Sequence, residues 1–401
     1  MNEREIAWKC LIKIVNEKQF SNIVLKNCHQ NTPLITQLVY GTLRNYRLCR
    51  YCWSKYAHKI PKSKICILLD MAVYELLFLD KPQYATINEI VNIASGINDG
   101  IYRNMVNALL HKIDKKDKEN LPSEIATSHP DWLVAMWNKQ YGKEKCEEIC
   151  KANLKDGKVA LRVNTLLTDR DSLMSDPLFV AGKIENSLYY KGNILRTDYF
   201  KENKVIIQSV SAQTAVELLN VCDNSQVLDL CAAPGGKSIQ LAIDMHNTGE
   251  IVANDIYDFR CKLIEDNAKK YGLTNITTCC HDGREIDKYY LPYSFDYVLL
   301  DAPCSGLGTL RHKPEIKITT VGKDIDDLIK LQRELLISAA KMVKKQGYLL
   351  YSTCTLNKKE NEKQIDYFLS INDEYKLIES RTIFPEDYDS DGFFVAKLQR
   401  L

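Results

Sequence analysis

Val227-Leu-Asp-Leu-Cys-Ala-Ala-Pro-Gly-Gly-Lys-Ser238 joins a strand signal, a turn signal and a helix signal without interruption. Val227 to Leu230 read as a short buried strand, and Ile239, Leu241 and Ile243 open an apolar helix. Between them Gly235 and Gly236 let the backbone approach a ligand, because no side chain stands in the way. Strand, glycine turn and helix are the parts of a nucleotide crevice at the carboxyl edge of a parallel sheet, although an ordinary strand-to-helix turn has the same parts. The turn lacks the G-x-G-x-x-G pattern of dinucleotide sites and the spacing of a phosphate-binding P-loop. A nucleoside with a non-phosphate tail, such as S-adenosylmethionine, fits those absences better than ATP or NAD.

Downstream the elements alternate. Strands are expected at 251–254, 276–279, 295–300 and 348–352, and helices up to Tyr271, at 328–343 and at 359–369. This alternation predicts a doubly wound, mainly parallel sheet. Acids then fall at successive strand ends. Asp255 lies 24 residues beyond Cys231, near the ~20-residue offset at which an acid meets a ribose hydroxyl. Asp282 follows the next strand and Asp301 ends the one after. In a parallel sheet these ends share one edge, so the acids line one cleft; each alone could equally be a helix cap or a turn former.

Two cysteines are expected at the same edge, Cys304 in Asp301-Ala-Pro-Cys-Ser305 and Cys354 in Ser352-Thr-Cys-Thr355. A thiolate can add to carbon 6 of a pyrimidine and make carbon 5 nucleophilic enough to take a methyl group. A carboxylate near the ring nitrogen supports the addition by sharing a proton, and Asp301 is placed for that. Spacing alone does not rank the two thiols.

The chain has 401 residues, 45% apolar and 26% charged, which suggests two or three globular domains. No stretch approaches about 18 uninterrupted apolar residues, so no membrane span is expected. Fourteen cysteines with no signal region at the start imply reduced thiols in the cytoplasm. Residues 1–64 hold 12 Lys and Arg against 3 Asp and Glu, while the remainder holds 42 against 49. A basic module joined to a mildly acidic one suits an enzyme acting on nucleic acid. Apolar residues at helical spacing predict a compact helical bundle up to about residue 115. Arg44, Arg47, Arg50 and Lys55 recur beside Tyr46, Tyr51 and Trp53, as either an RNA-facing surface or a solvated flank. Cys49-x-x-Cys52 lacks a second ligand pair, and no metal site is expected. The charge-dense run 112–120 reads as a linker, giving three parts: 1–120 all-helical, 121–210 a small α/β module, and 211–401 the crevice domain.

Asp229-Leu-Cys-Ala-Ala-Pro-Gly-Gly-Lys237, Asp282-Gly-Arg284, Asp301-Ala-Pro-Cys-Ser305 and Ser352-Thr-Cys-Thr355 together resemble the Fmu/Sun type of the Nol/Nop/Sun family of RNA cytosine-5 methyltransferases. The resemblance spans nearly the whole chain. Val39-Tyr-Gly-Thr-Leu-Arg44, Tyr74-Glu-Leu-Leu-Phe78 and Asn104-Met-Val-Asn107 are similar to its NusB-like RNA-binding domain, and Asp391-Gly-Phe-Phe394 to its terminal strand. The resemblance implies a class I, Rossmann-like methyltransferase domain and a small-subunit (16S) ribosomal RNA substrate. Transfer RNA, or a non-catalytic role in ribosome assembly, are the alternatives. It further implies Cys354 as nucleophile, Cys304 in product release, and Asp301 holding the cytosine. Cys231, Ala232, Ala233, Pro234, Gly235, Gly236, Lys237, Asp255, Asp282 and Asp301 would bind S-adenosylmethionine. Lys237 would touch the cofactor or reach Asp301, and the protein is expected to be a monomer. Three features depart from the family pattern: Gln208-Ser-Val-Ser-Ala-Gln213 lacks an acid, segment 165–205 is short, and Ile318 replaces a tryptophan.

Overall fold

The structure is a computed structural model that describes residues 2–119 and 121–401. The chain forms two compact units, Met1–Asp156 with Leu310–Thr320, and Gly157–Thr309 with Val321–Leu401.

The first unit is helical. Its central helix, Ser63–Phe78, is buried on every side from Ile65 to Leu77, as its nearly unbroken apolar run requires. The two acids that interrupt that run are matched by cations from neighbouring helices. Asp70 accepts from Arg50 Nε and Nη2 at 2.9 and 2.6 Å and from Trp53 Nε1 at 2.8 Å. Glu75 accepts from Arg4 Nε at 2.9 Å. A buried carboxylate without such partners would cost several kcal/mol. Gly41 sits where this helix meets Pro33–Arg44; a Cβ there would lie 1.9 Å from the Tyr74 ring. The glycine therefore sets the helix spacing.

The arginine ladder is engaged in ion pairs, with Arg44 buried and Arg47 and Arg50 half-buried. Arg44 is buried, pairs with Asp156 and donates to the Arg311 carbonyl. Arg47 pairs with Asp131 at 2.5 Å, and Arg50 with Asp70. Cys49 and Cys52 are buried in the same core, with both thiols pushed up by burial. The charge-dense run does not hang free: Asp117 pairs with Lys55 at 2.5 Å, and Lys118 donates to the Leu77 carbonyl at 3.0 Å. The first unit continues past it to Asp156.

Leu310–Thr320 completes this unit from far along the chain. Glu315 accepts from the Ser21 backbone N–H and hydroxyl at 3.0 and 2.9 Å. Ile318, which stands in place of the tryptophan, packs against the helical core. Lys317 is buried, and its Nζ donates to the carbonyls of Arg44 and Ser128 at 2.7 and 2.8 Å. Burial lowers it to about 7, so the charged and neutral amine are both populated near neutrality, and either form can donate to the carbonyls.

The second unit contains two sheets. The smaller has β1 (Ala160–Val163), β2 (Phe179–Ala181), β3 (Ser187–Tyr190) and β4 (Val205–Ile207), all antiparallel, in the order β2-β3-β1-β4. The larger contains β5 (Gln226–Asp229), β6 (Glu250–Asp255), β7 (Ile276–Cys280), β8 (Phe295–Asp301), β9 (Val343–Thr353), β10 (Tyr375–Ile383) and β11 (Phe393–Arg400). Its order is β10-β11-β9-β8-β5-β6-β7. Strands β5 to β9 pair in parallel as expected, while β10 and β11 add an antiparallel edge that makes the sheet mixed. The expected helices lie at Gly236–Asp244, Asp258–Lys270, Gly322–Met342 and Glu362–Ile371. β10 escaped the sequence reading because its outward side chains, Lys376 to Arg381, are exposed and leave no apolar run.

Within the segment that lacks the family's acid, Gln208 and Gln213 tie the smaller sheet to the helices of the methyltransferase domain. Gln208 Nε2 donates to Gln240 Oε1 at 2.7 Å, and Gln213 Nε2 to the carbonyls of Leu161 and Gln208 at 3.2 and 2.9 Å. No described helix is long and apolar enough to cross a membrane.

Lys317 makes a pH prediction. Its folded pKa lies below its unfolded value, so the unfolded chain binds more protons between about pH 7 and 10 and stability rises with pH there. Denaturant melts at pH 6 and pH 9.5 should show the wild type gaining stability relative to Lys317→Met over that interval; a constant difference would refute the assignment.

Candidate active site

The chain order places the cleft. From β5 it steps through β6 to β7, then returns across β5 to lay down β8 and β9 on the other side. The crevice opens at that reversal, outside the carboxyl ends of β5 and β8. The glycine turn fills it. Leu230 N–H bonds to the Leu299 carbonyl at 2.9 Å, Ala232 N–H to that of Asn254 at 2.8 Å, and Gly235 N–H to that of Ala232 at 2.7 Å. Gly235 has φ +100°, in the left-handed region that side chains resist, and then the helix begins at Gly236. Asn254 gathers three strand ends: its Nδ2 donates to the carbonyls of Leu230 and His281, and its Oδ1 accepts the His281 N–H. Beneath the turn Asp229 is buried, accepts from Ser238 Oγ at 2.6 Å, and is raised by burial to about 7.

A cavity of about 580 Å³ lies beside the turn, lined by Cys231, Ala233, Asp255, Asp282, Asp301, Cys304 and Cys354 among others. The expected carboxylates and thiols therefore do share one cleft. Ala232, Pro234, Gly236 and Lys237 line a smaller neighbouring pocket with Asp229, Gln208 and Asp301. Gly235 lines neither; its Cα faces Ile264, 3.4 Å from where a Cβ would stand. It shapes the turn rather than the cavity wall. Cys231 is half-buried in the cavity wall, and desolvation together with the surrounding carboxylates pushes its thiol well up, so it is inert wall. Asp282 combines both readings made of it. It caps the short helix Gly283–Lys288, accepts from Arg284 Nε and Nη2 at 3.0 and 2.6 Å, and is held below the usual carboxylate range by Arg284.

These residues fit S-adenosylmethionine. The cavity is of small-ligand size. A Cβ at Gly236 would meet nothing within 4 Å, so the turn leaves open space at a helix N-terminus, where a carboxylate is favoured. Asp255 and Asp282 offer acceptors for hydroxyls, and Leu230, Ile256, Tyr257 and Leu335 give an apolar wall for a base.

Strand register builds the other end of the cleft. β8 and β9 pair with Asp301 opposite Ser352. Ser352 Oγ donates to Asp301 Oδ1 at 2.8 Å, and Lys237 Nζ donates to Asp301 Oδ2 at 2.6 Å. Of the two roles open to Lys237, the geometry shows the second. Burial would lower this ammonium, but the Asp301 carboxylate outweighs that and holds it above its usual value. Three residues past Asp301 and two past Ser352, Cys304 Sγ and Cys354 Sγ stand 3.4 Å apart. The bond to Cys354, reinforced by burial, pushes the Cys304 thiol well up.

Sequence reasoning missed Asn254, because a small polar residue next to a strand-end acid reads as a turn former. Two substitutions probe the cradle. Gly235→Ala should cost about 1–2 kcal/mol of stability, because alanine resists positive φ, as read from denaturant midpoints. Asp255→Ala should weaken S-adenosylmethionine binding about tenfold or more by calorimetry; unchanged affinity would remove Asp255 from the site.

Comparisons with known proteins agree with this architecture. Residues 1–115 match the NusB family, 129–176 the RsmF/B-like ferredoxin-like methyltransferase domain, and 216–399 the 16S rRNA methyltransferase RsmB/F family. The chain is 33% identical to a probable ribosomal RNA small subunit methyltransferase B of Bacillus subtilis (strain 168), over 99% of this chain and 98% of that one. It is 30% identical to the ribosomal RNA small subunit methyltransferase B of Photorhabdus laumondii, over 100% and 99%. The crystal structure of PH0851 superposes with a TM-score of 0.82 at 26% identity, covering 100% of this chain and 99% of that one. With a relative at this identity aligned along its full length, the chain belongs to the RsmB/F family of 16S rRNA methyltransferases.

Proposed function

We propose that the protein methylates carbon 5 of a cytosine in 16S ribosomal RNA through a covalent bond between Cys354 Sγ and carbon 6. The observation that carries this reading is the 3.4 Å pair Cys304–Cys354 beside the Lys237–Asp301–Ser352 cluster. S-adenosylmethionine, the methyl donor, supplies an electrophilic methyl group when bound in the cleft. The Cys354 thiolate forms the Sγ–C6 bond and pushes the ring electrons toward carbon 5, while Asp301 shares a proton at the ring nitrogen. Lys237 fixes the Asp301 carboxylate and adds positive charge near Cys354. After methyl transfer a base takes the carbon-5 proton, the C5–C6 double bond re-forms, and Cys354 Sγ leaves with the bonding pair. The Cys304 S–H then donates to that departing sulfur. The target base has to leave its stack to reach Cys354.

The same reading assigns residues 1–120 to NusB-like RNA binding, 121–210 to an α/β linker module and 211–401 to methyl transfer, in a cytoplasmic monomer. The basic surplus of residues 1–64 supports the first assignment.

Bisulfite sequencing of 16S ribosomal RNA with and without the gene should reveal one cytosine that loses protection in its absence; an unchanged pattern would sink the substrate assignment. Cys354→Ala should lower turnover at least about 10³-fold and form no adduct. Cys304→Ala should leave RNA attached through denaturing electrophoresis. Trapping by Cys354→Ala instead would reverse the two roles.

A further inference from the structure

Glu360 is fully buried behind the cysteine pair and does not line the cavity. Its carboxylate accepts from the Ser305 N–H at 2.8 Å, the Ser305 hydroxyl at 2.6 Å, Asn357 Nδ2 at 3.0 Å and Gln332 Nε2 at 3.2 Å. Thr355 Oγ1 lies 2.8 Å from Ser305 Oγ and 3.4 Å from Glu360 Oε2. Ser305 directly follows Cys304, and Thr355 directly follows Cys354. One carboxylate therefore ties together the residues next to both thiols.

The neighbours of this carboxylate complete a frame. Gln332 Nε2 also donates to the Pro303 carbonyl at 2.9 Å, so Cys304 is held from both sides. Asn361 accepts from Thr353 Oγ1 at 2.6 Å and donates to the Thr355 carbonyl at 2.9 Å, bracketing Cys354 in the same way. Tyr351 O–H donates to the Glu360 carbonyl at 2.6 Å, anchoring the frame to β9. A carboxylate accepts only, and these donors from the Cys304 loop, the Cys354 loop and the helix Gly322–Met342 converge on it. An apolar or amide side chain could not serve them all.

We propose that Glu360 is a positioning residue that sets the separation and aim of Cys304 and Cys354. The inference rests on the two-cysteine reading above. Glu360 touches neither substrate nor cofactor, and acts through Ser305 and Thr355. A misplacement of about 1 Å at reacting atoms costs on the order of 100-fold in rate, so loosening this frame reaches the chemistry without reaching the binding surfaces.

The experiment measures kcat and both KM values, on 16S ribosomal RNA with S-adenosylmethionine, for the full-length wild type, Glu360→Gln and Ser305→Ala. Glu360→Gln keeps the shape and removes the all-acceptor character. It should lower kcat about 10- to 100-fold with both KM values within about twofold. A kcat equal to that of the wild type in folded protein, or a loss matched by a rise in KM, overturns the proposal. Should Glu360→Gln fail to fold, Ser305→Ala decides: it removes one hydroxyl from the frame and should lower kcat several-fold at constant KM, and wild-type kcat would overturn the proposal. A wild type that leaves every cytosine unmethylated defeats the underlying reading and the frame with it. An active wild type with an equally active Glu360→Gln defeats the frame alone.

Discussion

The parallel pairing of β8 with β9 is the constraint on which the rest depends. It sets Asp301 opposite Ser352, and the backbone hydrogen bonds of the ladder allow no slip without turning every buried side chain to the wrong face. Once that register holds, the short segments leaving the two strands must emerge side by side, which brings Cys304 and Cys354 together from positions 50 residues apart. The reversal of strand order at β5 then places the glycine turn across from them. The glycine turn and the two thiols line one cleft because the sheet is wound that way.

Around this geometry the site separates charge by role. Lys237 and Ser352 hold the two oxygens of Asp301, so the carboxylate presents a defined face to a base. The Cys304 thiol is pushed well up by its neighbour and by burial. Asp229, under the turn, is buried with a hydroxyl partner and is raised by that burial, which limits the negative charge stored there. The same principle governs the helical unit, where Asp70 and Glu75 are buried only because arginines from other helices meet them.

The motifs of the crevice domain were legible because they are local. A strand, a glycine turn and a helix follow one another within a few residues, and alternating elements with acids at strand ends announce a parallel sheet. The arginine ladder was not legible. Arg44 ends one helix and Arg47 and Arg50 lie on the next, and the carboxylates they pair with, Asp156, Asp131 and Asp70, come from other parts of the chain. Likewise nothing near Leu310–Thr320 announces that it completes a helical unit whose other residues end at Asp156. Glu360 and Asn361 read as an ordinary polar helix start, and the groups they hold come from three separate segments.

By itself the sequence determined the class of domain, the edge of the sheet that carries the chemistry, and the residue types at that edge. These follow from periodicity and from which residues end each strand, and both are properties of neighbouring positions. Only the tertiary structure decided which of those residues touch: that Lys237 reaches Asp301, that Gly235 shapes the turn rather than lining the cavity, and that the two thiols stand in contact. Such contacts depend on strand register and on the order in which strands join the sheet. Both are fixed by hydrogen bonds between residues tens of positions apart, and no local pattern records them.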